Sequence, residues 1–573
     1  MDNHAIARVL GEIADLLEIK GENPFKIRAY RAAADTVADS GQAVAALDEA
    51  GLRALPGIGK DLAARILELT STGLVLYHQE LLAQFPVTML DLLRLQGVGP
   101  KTAALLYRSL QVASLDELEQ AARSGRLRSL KGMGPRKEAL ILKALEERRQ
   151  HAGRHLLPDT HDLAAALLAH LREASPGTEF IPVGSLRRGV DTCGDLDVLA
   201  IGGEPSLIET FTRYRLVERV LGRGDTKGSV LIRGGYQADL RLVPPDSRGA
   251  AMQYFTGSKA HNIALRDRAI ARGLKLNEYG LFDLATGLPV AGDTEEGIYQ
   301  ALGLAFVPPE LREHRGEIEA AERGTLPRLI ERADIRGDLH CHTDATDGRD
   351  GIEAMAAAAR DAGHEYLAIT DHSQALAMSG GLDEARALEH ARRVRAIDAR
   401  MDGIRLLAGI ECDIRADGTP DLAADCLAQL DLVIASVHSA FHQDEAQMTA
   451  RVLRAMDCPW VDVLGHPSGR LLLKRQAVAL DMARVIAAAA EHGMALEINS
   501  QVDRLDLNDM HARLARVRGV PLVIDTDSHS TGGFGMMRWG VTVARRAWLE
   551  AGDVLNTRPL EGLRAGLRRN RNT

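Results

Sequence analysis

The sequence has little cysteine: five residues in 573, at positions 193, 341, 412, 426 and 458, an odd number with no Cys-x-x-Cys pair. That argues against a disulfide framework. No apolar run approaches the length of a membrane span, so no membrane partner is expected. The N-terminus carries no signal-peptide pattern, which points to the cytoplasm. Lysine is scarce among the 70 basic residues, and the net charge of −9 looks unsuited to nucleic acid until it is divided. Basic and acidic residues number 20 and 19 over 1–150, 22 and 25 over 151–333, and 28 and 35 over 334–573. The acid is concentrated in the last third. Between 123 and 154, ten basic residues meet three acids, a local footprint suited to phosphate. An apolar content of 46% over this length fits a globular protein of three or four domains.

Residues 1–50 read as helices, with Ile6, Val9, Leu10, Ile13, Leu16 and Leu17 at helical spacing. Phe25–Arg31 puts bases and an aromatic on a second helix, a pattern that an ordinary amphipathic helix fits equally well. Three related segments follow, Leu55–Lys60, Leu95–Lys101 and Leu130–Arg136, each with Gly-x-Gly before an apolar helix. Such a hairpin at a helix N-terminus exposes backbone N–H groups to phosphate, and glycine permits close approach. One copy would be a weak signal. Three copies resemble helix-hairpin-helix elements, which grip nucleic-acid backbones without reading sequence. Gly57, Gly59, Gly97, Gly99 and Lys101 are the candidate contacts.

The chain then runs Val183-Gly184-Ser185-Leu186-Arg187-Arg188-Gly189, followed by Gly194-Asp195-Leu196-Asp197-Val198-Leu199. As a strand, the second piece points Asp195 and Asp197 to one face. Two carboxylates there repel unless a cation lies between them, and Mg²⁺ prefers a few carboxylates plus phosphate oxygens. Gly184 and Ser185 offer N–H groups and a hydroxyl to a phosphate, with Arg188 as a charged fork. Asp239 lies in a second apolar alternation, Ala238–Val243, within reach of the same ions from a neighbouring strand. This is the pattern of a nucleotidyl-transfer site.

From Asp334 short apolar strands alternate with Ala/Arg-rich helices, as in a β/α barrel. Polar residues fall at the strand ends: His340 and His342 after Ile335–Leu339, His372 after Tyr366–Thr370, and Glu411 after Leu406–Ile410. His438 follows Leu432–Val437, His466 follows Val461–Gly465, and Asp527 and His529 follow Val520–Ile524. The C-terminal ends of such strands form the chemical mouth of a barrel. Six histidines with acids at successive strand ends argue against a purely structural reading. Cys341 and Cys412 flank ligands, but the alternation points them away from the mouth.

The Gly-Ser-x-Arg-Arg-Gly run, the Asp-x-Asp pair and the later Asp239 resemble the palm of family X DNA polymerases, the polymerase β group. Tyr254-Phe255-Thr256-Gly257-Ser258, with His261-Asn262 and Arg266, resembles that group's nucleotide-binding thumb. The C-terminal pattern resembles a PHP phosphoesterase domain, so the whole is similar to the bacterial family X polymerases that carry one. The resemblance implies a multidomain α and α/β fold. It would comprise an N-terminal helical DNA-binding domain (1–85), a helix-hairpin-helix subdomain (86–152), a nucleotidyltransferase palm (153–247) and a thumb (248–317). A linker (318–333) and a distorted β/α-barrel PHP domain (334–573) would follow.

Residues 1–85 would hold the downstream 5′ end of a gap and 86–152 the primer side. Asp195, Asp197 and Asp239 would hold Mg²⁺ or Mn²⁺. Gly184, Ser185, Arg188 and Gly194 would hold the triphosphate. Tyr254, Phe255 and Gly257 would border the sugar, Asn262 the base edge and Arg266 the template. Three metals (Zn²⁺, Mn²⁺ or Fe²⁺) would occupy the barrel: His340, His342, Glu411 and Asp527 the first, Glu411, His438 and His466 the second, Asp347, His372 and His529 the third.

The implied function is short-gap filling on double-stranded DNA from deoxynucleoside triphosphates in base excision repair, by a monomer. The barrel would supply a 3′–5′ exonuclease and cleavage at abasic sites. Arg65 stands where the polymerase β group has its Schiff-base lysine, and a guanidinium is a poor nucleophile. Weak or absent lyase activity through that residue is expected. Two alternatives are a template-independent nucleotidyltransferase and a non-catalytic scaffold that binds DNA ends. The barrel could also be a small-molecule phosphatase, since a fold does not fix its substrate.

Overall fold

The computed structural model describes residues 3–38, 40, 44–86, 88–93, 95, 98–130, 132–150, 153–376 and 379–571. The chain forms two compact units, one of residues 1–152 with 530–533, the other of 153–529 with 534–573.

In the first unit α1 (Asn3–Lys20) packs on α2 (Pro24–Ala38). Ile6, Leu10, Ile13 and Leu17, one helical face, are fully buried against Leu62, Ile66 and Leu69 of α3 (Lys60–Thr72). A second core gathers Met89, Leu92, Val98, Leu106, Leu118 and Ile141 around α4 (Pro100–Leu110) and α5 (Pro135–Gln150). Gly59 and Gly99 precede α3 and α4 as caps with no side-chain hydrogen bond, leaving first-turn N–H groups open.

The second unit's first helix is α6 (Leu157–Ala174). Pro158 fits its first turn, where a missing N–H costs nothing. The helix lies on a sheet of β1 (Glu179–Pro182), β2 (Asp195–Ile201), β3 (Val217–Arg223), β4 (Lys227–Ile232) and β5 (Tyr236–Val243). Its order is β1-β2-β5-β4-β3, and β2 and β5 run parallel. The turn between β1 and β2 contains α7 (Gly184–Arg187). Next come α8 (Arg248–Thr256), α9 (Lys259–Ala271) and a three-stranded antiparallel sheet, β6 (Leu274–Asn277), β7 (Gly280–Asp283) and β8 (Pro289–Ala291). The stretch expected as a linker holds α10 (Glu317–Arg323) and is packed, with Ile318, Ala320 and Ile330 buried.

Seven parallel strands in sequence order follow: β9 (Gly337–Asp338), β10 (Tyr366–Ile369), β11 (Arg405–Asp413), β12 (Leu432–Ser436), β13 (Val463–Leu464), β14 (Ala495–Asn499) and β15 (Leu522–Asp525). A parallel bridge from Cys341 to Ser528 joins the ends of the first and last strands, and the His342 amide donates to the Ser528 carbonyl at 2.8 Å. That closes the sheet into a barrel. Strand β11 changes partners midway, pairing with β10 over 405–408 and with β12 over 409–413. Glu411 therefore lies inside a strand rather than after one, yet still beyond the end of β10. One continuous apolar core runs from α6 into the barrel. Among the described residues no helix is long and apolar enough to cross a membrane.

Candidate active sites

Asp195, Asp197 and Asp239 are positioned by backbone pairing. Asp197 on β2 faces Asp239 on β5 as its direct register partner, and Asp195 faces Gln237. Burial, then Asp195 and Asp239, push the Asp197 carboxyl up to about 6. Lys227 of β4 reaches Asp239 at 3.0 Å and supplies one positive charge there. Among the described residues the three acids do not close into a ligand cluster.

Gly184 adopts a φ of +68°, and a Cβ there would lie 2.9 Å from Asp197 Oδ2. Only glycine lets the turn pass this close to the acid. Ser185 directly follows it with a buried hydroxyl oxygen. Gly194 is half-buried at the start of β2. Arg188 donates to Glu313 Oε1 at 3.0 Å and to the Thr256 carbonyl at 2.5 Å. Its neighbour Arg187 forks onto Glu295 at 3.0 and 2.6 Å, pinning the turn to the segment after β8. Sequence reasoning gave Arg187 no role; an Arg-Arg pair offers no sign of which member is structural.

Tyr254 and Phe255 end α8 half-buried in an edge-to-face pair 5.1 Å apart, with the Arg241 guanidinium 4.6 Å over Phe255. They are not a fully buried core pair. Gly257 is the C-cap, at φ +71°. Asn262 donates to the Tyr254 carbonyl at 2.7 Å and accepts from Gln253 at 2.8 Å, so its amide is fixed in orientation. Arg266 is exposed on the same helix.

In the first unit a Cβ at Gly57, Gly59 or Gly99 would meet nothing within 4 Å. These glycines leave open space in front of helix N-termini, rather than admitting a protein neighbour. Lys101 is exposed beside Gly99. Gly97 lies outside the described residues. Arg65 pairs with Glu68 at 3.3 Å and lies 5.1 Å over the Tyr77 ring.

The barrel mouth gathers all nine predicted ligands. His342 Nε2 lies 3.0 Å from Asp527 and 3.6 Å from Glu411, and His340 Nε2 lies 3.5 Å from Glu411. His372 reaches Glu411 at 2.9 Å and Asp347 at 3.2 Å. His466 and His438 reach the other Glu411 oxygen at 2.9 and 3.4 Å, and His529 lies 3.6 Å from Asp347. Three groups have donor atoms within 4.8 Å of one another: His340, His342 and Asp527; His372, Glu411 and His438; and His342, Asp347, His372 and His529.

His340 Nε2 and both His342 nitrogens are buried without a hydrogen-bond partner. Such mixed N/O donors, aimed inward, fit divalent cations. The charges agree. Despite burial, Glu411 holds His372 up to about 10 and His438 up to about 9, while the histidines hold Glu411 and Asp527 well below the carboxylate range. Burial, with His529 and His372, drops His342 to about 4, so not every histidine can carry a proton. His466 (φ +25°) and Asp527 (φ +52°) sit in left-handed backbone that side chains rarely adopt, strain of the kind found at sites. Cys341 donates to the Ala368 carbonyl at 3.3 Å, and burial pushes the Cys412 thiol up to about 12.

Sequence reasoning missed the supports. Glu497 on β14 accepts from His340 Nδ1 at 2.7 Å and from the His466 amide at 2.5 Å. Asp413 lies 3.2 Å from His438 Nδ1. An acid in an apolar alternation, Ala495-Leu496-Glu497-Ile498-Asn499, was the available signal.

Family models match in four places: a helix-hairpin-helix domain over 1–74, a SAM-like helix-hairpin-helix tandem over 89–147, the DNA polymerase beta thumb over 251–313, and a PHP domain over 338–501. The chain is 36% identical over 573 residues, all of both chains, to the DNA polymerase/3′-5′ exonuclease PolX of Bacillus subtilis (strain 168). It belongs to the bacterial family X DNA polymerases with a C-terminal PHP domain. Family X polymerases and PHP domains are metal-dependent, and in this family X chain Asp527 and His529 lie beyond the matched PHP stretch. The barrel part alone is 33% identical over 210 residues to a protein named as a probable phosphatase in Shewanella sp. (strain MR-4). It is 31% identical over 210 residues to another so named in Shewanella oneidensis. Each match covers 34% of this chain and 79% of the relative.

Proposed function

We propose that this chain is a DNA-directed DNA polymerase that fills short gaps during repair, with a 3′–5′ exonuclease in its barrel. The observation that carries the polymerase reading is the register pairing of Asp197 with Asp239 beside the Gly184 turn. Asp195, Asp197 and Asp239 would hold Mg²⁺ or Mn²⁺, which would supply charge stabilisation for the attacking and leaving oxygens of an in-line displacement. Asp239 faces the primer 3′-hydroxyl and favours its deprotonation. Gly184, Ser185, Arg188 and Gly194 hold the triphosphate. Tyr254, Phe255 and Gly257 border the sugar, Asn262 the base edge and Arg266 the template strand.

The open hairpins of residues 1–85 and 86–152 hold the two sides of a gap, and the chain acts as a cytoplasmic monomer. Residues 153–247 form the palm, 248–317 the thumb, 318–333 the connection and 334–573 the barrel. Zn²⁺, Mn²⁺ or Fe²⁺ fits the nine barrel donors. Their buried, closely spaced arrangement suits hydrolysis of a 3′ phosphodiester, and also cleavage at abasic sites.

The test is a 5′-labelled primer on a one-nucleotide gap with Mn²⁺, with and without deoxynucleoside triphosphates. Asp239→Ala is expected only to shorten the primer and His342→Ala only to lengthen it. If His342→Ala shortens it as fast as wild type, the barrel is not the nuclease. A small phosphorylated molecule then becomes its substrate, the reading that the phosphatase relatives favour.

A further inference from the structure

The segment between the Gly184 turn and Asp195 is gripped by the barrel at three consecutive points. Arg546, 6% exposed on α11 (Met537–Arg546), donates to the Arg188 carbonyl at 2.8 Å and to Glu313 Oε1 at 3.1 Å. That same Glu313 oxygen receives the Arg188 Nε at 3.0 Å. One barrel guanidinium thus fixes both the backbone of Arg188 and the carboxylate that aims its side chain. One residue on, Gly189 at φ +64° lies so close to α11 that a Cβ would come within 2.3 Å of Thr542 Cγ2. Two residues further, Asp191 accepts from Arg470 of the barrel at 3.0 Å. Asp509, also of the barrel, accepts from Arg546 at 2.9 Å and holds it in place.

We infer that Arg546 is a positioning residue for nucleotide binding: the phosphoesterase barrel forms the floor of the triphosphate site in the palm. The inference rests on the polymerase reading above. A guanidinium that must meet phosphate oxygens at hydrogen-bond distance needs its backbone held still, and small displacements of such groups are costly. The helix holding it here belongs to the other catalytic domain. Arg546 faces none of the barrel's metal ligands, so its loss leaves the second chemistry alone.

The experiment uses the full chain on one-nucleotide-gapped DNA, reading KM for the deoxynucleoside triphosphate, kcat, and the 3′-shortening rate without nucleotide. Arg546→Ala is expected to raise KM about tenfold, with kcat falling less and shortening unchanged. Arg546→Lys, which keeps one donor, is expected to recover part of the loss. A second pair removes dependence on one variant: Gly189→Ala raises KM, and Gly189→Ala with Thr542→Ala lowers it again. The backbone strain at 189 is common to both, so the difference reports the contact with α11. An unchanged KM in Arg546→Ala, or parallel loss of KM, kcat and shortening with no recovery in Arg546→Lys, overturns the inference while the polymerase reading stands. A wild type that never extends the primer removes both.

Discussion

Asp197 and Glu497 each lie in a largely apolar strand, and their surroundings give them opposite tasks. Asp197 is held near a pKa of about 6 by burial and its two neighbouring acids, above its unfolded value near 3.8. A raised carboxyl favours the folded state only while protonated, so stability is lost as pH rises through about 6. In chelated protein Asp197→Asn is therefore expected to be more stable than wild type by about 3 kcal/mol at pH 7.5. The difference should vanish below pH 4; urea unfolding at the two pH values measures it. Glu497 instead orients His340 through Nδ1, as carboxylates behind metal-binding histidines do. Glu497→Gln is expected to weaken metal retention by the barrel by about 10–100-fold in competition with a chelator. Nucleotide addition should be untouched.

At the scale of elements, legibility followed periodicity and strand direction. The palm pair was readable because alternation fixes which face an acid takes. The clustering of the six barrel histidines with Glu411 and Asp527 was readable because they recur at strand ends, whereas Asp347 came from the resemblance alone. Glu411 fell inside β11 because that strand continues past β10 to pair with β12, a tertiary choice with no local signal. The roles of Arg187 and Arg188 were not separable, since only Glu295 and Glu313, more than 100 residues away, distinguish them. The Gly184 turn had a readable residue but an unreadable reason, its approach to Asp197. Gly184→Ala is expected to abolish primer extension while leaving primer shortening at the wild-type rate in the same assay. In α3 the guanidinium of Arg65, paired with Glu68, gives no free amine. Borohydride trapping on an abasic 5′ end should yield no adduct at residue 65, and an adduct mapped there would refute this.

At the scale of the whole molecule, buried charge gathers in the barrel mouth. Glu411 and Asp527 are buried among histidines whose protons share one mouth. Ions that bind only the folded barrel stabilise it by mass action. Chelation is expected to lower the unfolding temperature of the 153–573 unit and leave that of 1–152 in place, as two transitions in calorimetry.

The pairing of Asp197 with Asp239 also bears on how such a chain can change over generations. Side chains alternate faces with every residue along a strand, so gaining or losing one codon within β2 or β5 would turn an acid to the opposite side of the sheet. Substitutions elsewhere on those strands can accumulate singly. Length changes there cannot, and they are confined to places such as the turn after β3, where no acid's direction depends on the count.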